Sequence, residues 1–181
     1  MKTRKEREKL GKYLSYLLRH APEKEGLLMG KDGYVVVNTL CQKLDISKDD
    51  LDWIVDNNNK KRYAYNEDET LIRANQGHSI EVDVELKRVN PPHKLYHGTT
   101  FDILESLKKN GLMKMNRQHV HLSADQDTAR TVGKRHSKGK PPMILVIDAK
   151  LMHFNGYKIY LSDNGVYLID HVPIDYIKII P

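Results

Sequence analysis

Cysteine is nearly absent from this chain: among 181 residues only Cys41 carries a thiol. One thiol excludes an internal disulfide and suits a reducing compartment, so a cytoplasmic protein is the default expectation. No apolar run is long enough to cross a bilayer, and no membrane association is expected. The N-terminal stretch Lys2-Thr3-Arg4-Lys5-Glu6-Arg7-Glu8-Lys9 mixes both charges where a signal peptide would carry an apolar core. Familiar nucleotide-binding loops are missing too. There is no Gly-x-Gly-x-x-Gly, and Gly133 to Lys140 resembles a phosphate loop only until its spacing is counted. It is one residue too long, and Pro141 stands where Ser or Thr would hold magnesium. His119 and His121, two apart, would share one face of a strand. No cysteine or second histidine pair completes a zinc set, so no metal is expected, and His119 reads as a satisfied core histidine. Internal repeats and low-complexity segments are absent.

What is present is a charged, ordinary globular composition, with 39% hydrophobic and 30% charged residues. Formal net charge is +6. A basic excess favours polyanionic partners, or is simply a well-solvated surface; charge alone leaves the two even.

The chain divides into two halves at Asn90-Pro91-Pro92, giving expected domains 1–90 and 91–181. In the first, Leu10, Tyr13, Leu14, Leu17 and Leu18 recur at helical spacing, and Pro22 ends that helix after Arg19-His20. Lys31-Asp32-Gly33 is a turn signal before a strand over Tyr34 to Val37. Ser47 opens a helix carrying Asp49, Asp50, Leu51, Ile54 and Val55. Arg62 to Tyr65 and Thr70 to Arg73 flank a polar turn and read as a hairpin. Helix, helix, hairpin in this order suggests a winged-helix module. The second half is expected to be β-rich. Strands are read at Leu95 to His97, Val120 to Ser123, Met143 to Asp148, Tyr157 to Leu161, Val166 to Ile169 and Tyr176 to Ile180. A helix is expected from Phe101 to Asn110 with Gly111 as its stop. Ser123 and Gln126 look like a capping box for a second helix running toward His136. Asn164-Gly165 is a tight-turn signal.

Taken singly, the chemistry-bearing residues are ambiguous. His97-Gly98-Thr99 ends a strand; its glycine would let a ligand approach the backbone, or it is an ordinary turn. Arg19-His20 and Arg135-His136 each close a helix, where the dipole alone favours cations by roughly 0.3–1 kcal/mol. Arg73 is followed by Ala74-Asn75-Gln76-Gly77-His78-Ser79, a polar stretch with no evident structural task.

Taken together, they form a pattern. Leu14 to His20, Arg73 with Gln76-Gly77-His78-Ser79, Leu95 to Thr99, Val120 to Ser123, Val132 to His136, and Ser162 to Tyr167 with Val172-Pro173 are six motifs in one order. In that order they resemble the RNA 2′-phosphotransferase family, the NAD-dependent enzymes acting on RNA such as tRNA. The resemblance covers nearly the whole chain. It implies an α+β protein, with an N-terminal winged-helix lobe that engages RNA and a C-terminal ADP-ribosyltransferase-like mixed β lobe that holds NAD. It also implies the reaction. An internal RNA 2′-phosphate attacks the anomeric carbon of the nicotinamide ribose and expels nicotinamide, giving 2′-phospho-ADP-ribosylated RNA. The ribose 2″-hydroxyl then attacks phosphorus, releasing RNA with a free 2′-hydroxyl and ADP-ribose 1″,2″-cyclic phosphate. Carried over by position, the catalytic set falls on Arg19, His20, Arg73 and Arg135, and the NAD site on His97, Gly98, Thr99, His121 and Ser123. RNA contacts fall on Arg19, His20, Arg73, Gln76 and His78. A monomer is the working expectation.

One departure from the family pattern is visible: Ser137-Lys138-Gly139-Lys140 intervenes between Arg135-His136 and Pro141. The chemistry agrees with the residues. A phosphate monoester is mostly dianionic at neutral pH, so it needs holding rather than deprotonation, and arginine forks suit that task. Many ADP-ribosyltransferases place a glutamate beside the reacting ribose; here the matching strand reads Asn164-Gly165-Val166-Tyr167. A carboxylate would repel the phosphate by roughly 4 kcal/mol at 4 Å and an effective dielectric of 20. Two rivals are distinguishable by product: an enzyme that leaves ADP-ribose on a terminal phosphate, and a nucleic-acid-binding protein without activity.

Overall fold

In the computed structural model, which describes residues 2–180, the leucine stripe near the N-terminus becomes helix α1, Arg4–His20. Thr3 and Glu6 close a reciprocal capping box that satisfies its first backbone donors. The helix buries Leu14, Leu17 and Leu18 and stops before Pro22, leaving Arg19 and His20 in its last turn. Two compact units follow from the chain's contacts, Met1–Glu85 and Leu86–Pro181.

In the first unit, the strand expected over Tyr34 to Val37 shrinks to β1, Val35–Val36. Val37 instead opens helix α2, Val37–Leu44, which the sequence reading did not anticipate. Three β-branched valines beside a turn signal read as strand, but here the chain must turn at once, and the Val37 amide is taken by the Thr70 carbonyl at 2.9 Å. Helix α3, Lys48–Asp56, is capped by Ser47, which accepts from the Asp50 amide as expected. The hairpin forms as read: β2, Tyr63–Tyr65, pairs antiparallel with β3, Leu71–Ala74, and β1 adds to its far side. Leu14, Leu17, Leu18, Leu40, Leu51 and Ile72 form the core of this unit, each 1% exposed or less. Burying each contributes roughly 1.5–3 kcal/mol relative to exposure. An ion pair of 2.8 Å between Arg7 and Asp50, with side chains 14% and 4% exposed, ties α1 to α3.

The second unit begins before the proline pair rather than at it, because β4, Lys87–Arg88, pairs with β9, Tyr160–Leu161. The boundary therefore lies between Glu85 and Leu86 instead of after residue 90. One antiparallel sheet has the order β4-β9-β10-β7, with β7 at Val120–Leu122 and β10 at Tyr167–Ile169. A second has the order β12-β8-β5, with β5 at Lys94–Thr99, β8 at Met143–Asp148 and β12 at Ile177–Ile180. A bridge between Tyr96 and Ser123 joins β5 to the end of β7. Two-residue strands β6, Leu112–Met113, and β11, His171–Val172, pair with each other. Neither they nor β4 carry a sequence signal, being too short for periodicity.

Helix α4, Leu104–Asn110, follows a single 3-10 turn at Phe101–Ile103 and ends at Gly111, whose φ of 71° is a left-handed stop. Helix α5, Gln126–His136, is capped by Asp125, which accepts from the Thr128 amide. The expected Ser123–Gln126 capping box is therefore wrong: Ser123 is bound into the strand bridge. Helix α6, Ala149–Phe154, starts directly from β8 and was not anticipated. The expected strand over Tyr157 to Leu161 is reduced to β9. The Asn164-Gly165 turn closes as read, with the Ser162 amide bonded to the Val166 carbonyl at 3.0 Å.

Helix α5 lies on β5 because two glycines meet there. A Cβ on Gly98 would fall inside the Ala129 carbonyl oxygen and 2.8 Å from the Gly133 amide nitrogen, and one on Gly133 would press on Pro142. This is a mixed α/β protein built from helices and small antiparallel sheets. No helix among the described residues is long and apolar enough to cross a membrane.

Candidate active-site residues

In the first unit, the last turn of α1 and the segment after β3 are stitched together. The Ser79 amide donates to the Arg19 carbonyl at 3.0 Å. His20 Nδ1 and Ser79 Oγ lie 2.9 Å apart. Gly77, at a φ of 92°, supplies the left-handed turn that returns the chain toward α1. His78 is thereby buried, 2% exposed. Its pKa falls from 6.5 to about 4, first from desolvation and then from the positive charges of Arg19, His20 and Arg73. At neutral pH it is an uncharged imidazole inside a cationic cluster.

Arg73 reaches this cluster from β3. Its guanidinium lies 4.6 Å from the centre of the Tyr34 ring and donates to the Asp32 carbonyl at 3.3 Å. No carboxylate lies within ion-pair distance of Arg73 among the described residues. Buried Arg73 Nε, Gln76 Oε1 and His78 Nε2 have no hydrogen-bond partner. Most buried polar atoms in native proteins are satisfied, so three orphans on neighbouring side chains point to a ligand or ordered solvent. A cationic cluster with an unsatisfied arginine donor suits an anion. All five residues assigned to RNA contact, Arg19, His20, Arg73, Gln76 and His78, fall in this region.

In the second unit, His97 on β5 donates from Nδ1 to the His121 carbonyl at 2.8 Å. Because a carbonyl only accepts, the proton sits on Nδ1 and Nε2 is left as an acceptor in the neutral ring. Desolvation lowers the His97 pKa; the His121 carbonyl opposes it, and the charges of His136 and Arg117 reinforce it. His121 Nδ1 in turn lies 2.8 Å from Arg117 NH1, and since arginine only donates, that nitrogen is unprotonated. Desolvation lowers the Arg117 pKa as well. Ser123 exchanges both backbone hydrogen bonds with Tyr96, at 2.7 and 2.9 Å, beside His97. Thr99 closes β5 opposite Met143.

Three further residues are placed by the structure. Gly98 does not open the backbone to a ligand on its side-chain face; the backbone of α5 fills that space, so the glycine serves packing. His119 is no core histidine: its side chain is 23% exposed and sits 3.9 Å from the exposed carboxylate of Asp170. Its predicted partner in a shared strand face, His121, lies within β7, while His119 lies just outside it. Arg135 is exposed in the last turn of α5. The inserted segment makes a local cap: Ser137 is buried, its hydroxyl donates to the Lys134 carbonyl at 3.2 Å, and Lys138 and Gly139 have φ of 47° and 86°.

Arg117 and Tyr34 were missed by sequence reasoning. Arg117 carries a faint signal, lying four residues before His121; Tyr34 carries none, because its role depends on tertiary approach of Arg73. Among the described residues, no group of three His, Cys, Asp or Glu side chains could hold a metal ion.

The whole chain also has known relatives. The family model described as RNA 2′-phosphotransferase, Tpt1/KptA family, matches residues 5–171. A protein of Fusobacterium nucleatum named "Probable RNA 2′-phosphotransferase" is 53% identical over 175 residues, covering 94% of this chain and 97% of that one. Proteins of the same name from Trichormus variabilis and Flavobacterium johnsoniae are 49% and 48% identical over 174 residues, each covering 93% of this chain and 94% of its own length. The chain belongs to the RNA 2′-phosphotransferase family.

Proposed function

We propose that this enzyme removes an internal 2′-phosphate from RNA by transferring it to NAD, releasing nicotinamide, RNA with a 2′-hydroxyl and ADP-ribose 1″,2″-cyclic phosphate. The observation that carries this reading is the cluster in the first unit. Arg19, His20 and Arg73 surround a neutral His78, and three buried polar atoms there lack partners.

The first unit, with its three helices and β1-β3-β2 sheet, is read as a winged-helix RNA-binding lobe. Arg19 and Arg73 grip the phosphate oxygens as charged forks. The orphaned Nε of Arg73 and Nε2 of His78 are suited to donate to an anion, with His78 as its Nε2–H tautomer. Gln76 presents an acceptor for a ribose hydroxyl. His20, held by Ser79, orients toward the phosphate and can pass a proton.

The second unit is read as an ADP-ribosyltransferase-like lobe, and its hydrogen bonds suit NAD. NAD offers ribose hydroxyls that donate, a carboxamide that does both, and an anionic pyrophosphate. His97 Nε2 is a fixed neutral acceptor, Thr99 and Ser123 supply hydroxyls, and Arg117 beside His121 supplies a cation. The residues fit. His97, Thr99, His121 and Ser123 are assigned to NAD, with Gly98 seating α5, and Arg135 completes the catalytic set.

In the first step the phosphate dianion forms the new bond to the anomeric carbon as the bond to nicotinamide breaks. Nicotinamide leaves uncharged and needs no acid. Holding and desolvating the phosphate is the protein's task. In the second, charge gathers on the equatorial phosphoryl oxygens, where Arg19 and Arg73 stabilise it. The single thiol suits a cytoplasmic enzyme acting on RNA such as tRNA. Incubation with 2′-phosphorylated RNA, with and without NAD, followed by chromatography of both products, tests the reading. Dephosphorylated RNA and cyclic phosphate should appear together and only with NAD. RNA left unchanged, or ADP-ribose left on a terminal phosphate, overturns it.

A further inference from the structure

Away from the phosphate cluster, the first unit carries a second basic feature that the proposed reaction does not use. A groove of about 700 Å³ lies between the N-terminal half of α1 and the end of α3. Arg4 and Arg7 line it from α1, Trp53 from α3, and Asn58, Lys60 and Arg62 from the chain that leads into β2. Its volume falls within the roughly 300–1,000 Å³ typical of ligand clefts, room for a short stretch of nucleotides and too small for a duplex.

Its charges are unequal. Four cations line it against one carboxylate, Glu8, which pairs with Arg4 at 3.0 Å. Arg7 is neutralised by Asp50 but holds its guanidinium 5.3 Å from the centre of the Trp53 ring. Arg62 is fixed by Asn58 at 3.0 Å. A half-buried indole flanked by guanidinium groups, with basic side chains along the rim, is the combination that single-stranded nucleic acid uses. Bases stack on the ring and phosphates follow the cations. An acidic protein surface would use the charges but has no need of the indole.

We propose that this groove is a second subsite for single-stranded RNA, binding nucleotides that flank the 2′-phosphate; this rests on the RNA substrate proposed above. Arg7 and Arg19 lie on the same helix, twelve residues and about 18 Å apart along its axis at 1.5 Å per residue. That span is about five nucleotides at the 3.4 Å spacing of a stacked strand. Substrates shorter than this reach only the phosphate cluster, and longer ones engage both.

Trp53 is the chain's only tryptophan, so its fluorescence reports on the groove alone. The test titrates the whole protein with a single-stranded RNA dodecamer lacking any 2′-phosphate, the same sequence as a duplex, and polyglutamate. Saturable quenching is expected with the single strand and not with the other two. The double variant R4E/K60E keeps the indole and the core; it should weaken the quenching titration about ten-fold. In turnover assays, the wild type should prefer a 2′-phosphorylated dodecamer over a 2′-phosphorylated dinucleotide in kcat/KM, and in R4E/K60E that preference should collapse. Equal quenching by duplex or polyglutamate, or a length preference that survives R4E/K60E, overturns the subsite. Because the fluorescence arm needs no catalysis, an inactive enzyme that still binds the single strand would refute the reaction and leave the groove standing.

Discussion

Binding of phosphate should return a buried histidine to ordinary acidity, and removing that histidine should flatten the protein's response to acid. In the free protein the His78 pKa is pulled from 6.5 to about 4 by desolvation and by the cations Arg19, His20 and Arg73. That gap opposes protonation by about 3 kcal/mol. The sign follows from comparing the two states. Above pH 6.5 the ring is neutral whether the chain is folded or not, so the linkage is silent there. As pH falls from 6.5 toward 4, the unfolded chain takes a proton that the folded one refuses, and stability is lost. At about pH 4.5 the loss from this one group is about 2.5 kcal/mol, a large part of the 5–15 kcal/mol typical of a domain. Denaturant titrations of the wild type and His78→Gln at about pH 7.5 and 4.5 measure it: the wild type should lose about 2.5 kcal/mol more than the variant. A unit negative charge 5 Å from the ring contributes roughly 3 kcal/mol in the opposite direction at an effective dielectric of 20. Inorganic phosphate should therefore bring the His78 resonance, followed by NMR, back to a midpoint near 6.5. A midpoint already near 6.5 without phosphate, or equal acid sensitivity in wild type and variant, refutes the reasoning.

Other perturbations probe the rest of the site. Arg73→Ala should slow the phosphoryl step more than the glycosyl step, so that 2′-phospho-ADP-ribosylated RNA accumulates on a quenched time course; equal slowing of both steps would sink that role. Arg19→Lys keeps the charge and loses the fork, and kcat/KM should drop by an order of magnitude or more. Gly98→Ala drives a methyl into the Ala129 carbonyl of α5 and should cost roughly 3 kcal/mol or more, read as a fall in Tm. His97→Phe should raise the KM for NAD by at least ten-fold with little change in RNA binding. In the wild type that KM should rise less between pH 8 and pH 6.5 than an exposed histidine would make it, because burial lowers the His97 pKa.

What could be read from the sequence tracks how local its cause is. The α1 stripe, the Ser47 cap and the β2–β3 hairpin each arise from residues within one turn of one another, and each formed as expected. Helix α2 and the short strands β4, β6 and β11 depend on partners far along the chain, and they were missed. The same division holds at the site. Position in the family motifs placed Arg19, His20, Arg73, Gln76 and His78 in one region before any geometry was known. The neutrality of His78 was not legible, because it comes from burial combined with three charges drawn from two elements. The role of Gly98 stayed open for a related reason. A glycine at a strand end permits a ligand or a helix to approach equally well, and only the position of α5 shows which one does.

The electrostatics of the two units differ in a way that matches the proposed division of labour. The first unit gathers permanent cations around a ring that remains neutral, so an incoming dianion meets charge that needs no reorganisation. A histidine at position 78 adds hydrogen-bonding capacity there without adding a charge that would repel the arginines beside it. In the second unit burial keeps His97 uncharged while its Nδ1 donates to the His121 carbonyl, and the His121 ring accepts from Arg117. Neutral imidazoles suit a ribose and a carboxamide, and they spare a developing positive charge at the anomeric carbon from repulsion. A glutamate at the Asn164-Gly165 turn would help that same carbon in a reaction with an uncharged nucleophile. Against a phosphate dianion its repulsion would offset the gain. Placing Glu at Asn164 should therefore lower kcat/KM for 2′-phosphorylated RNA, and more steeply at low salt, where an unscreened carboxylate acts further. A variant that turned over as well as wild type at low salt would break the link drawn here between the nucleophile's charge and the missing acid.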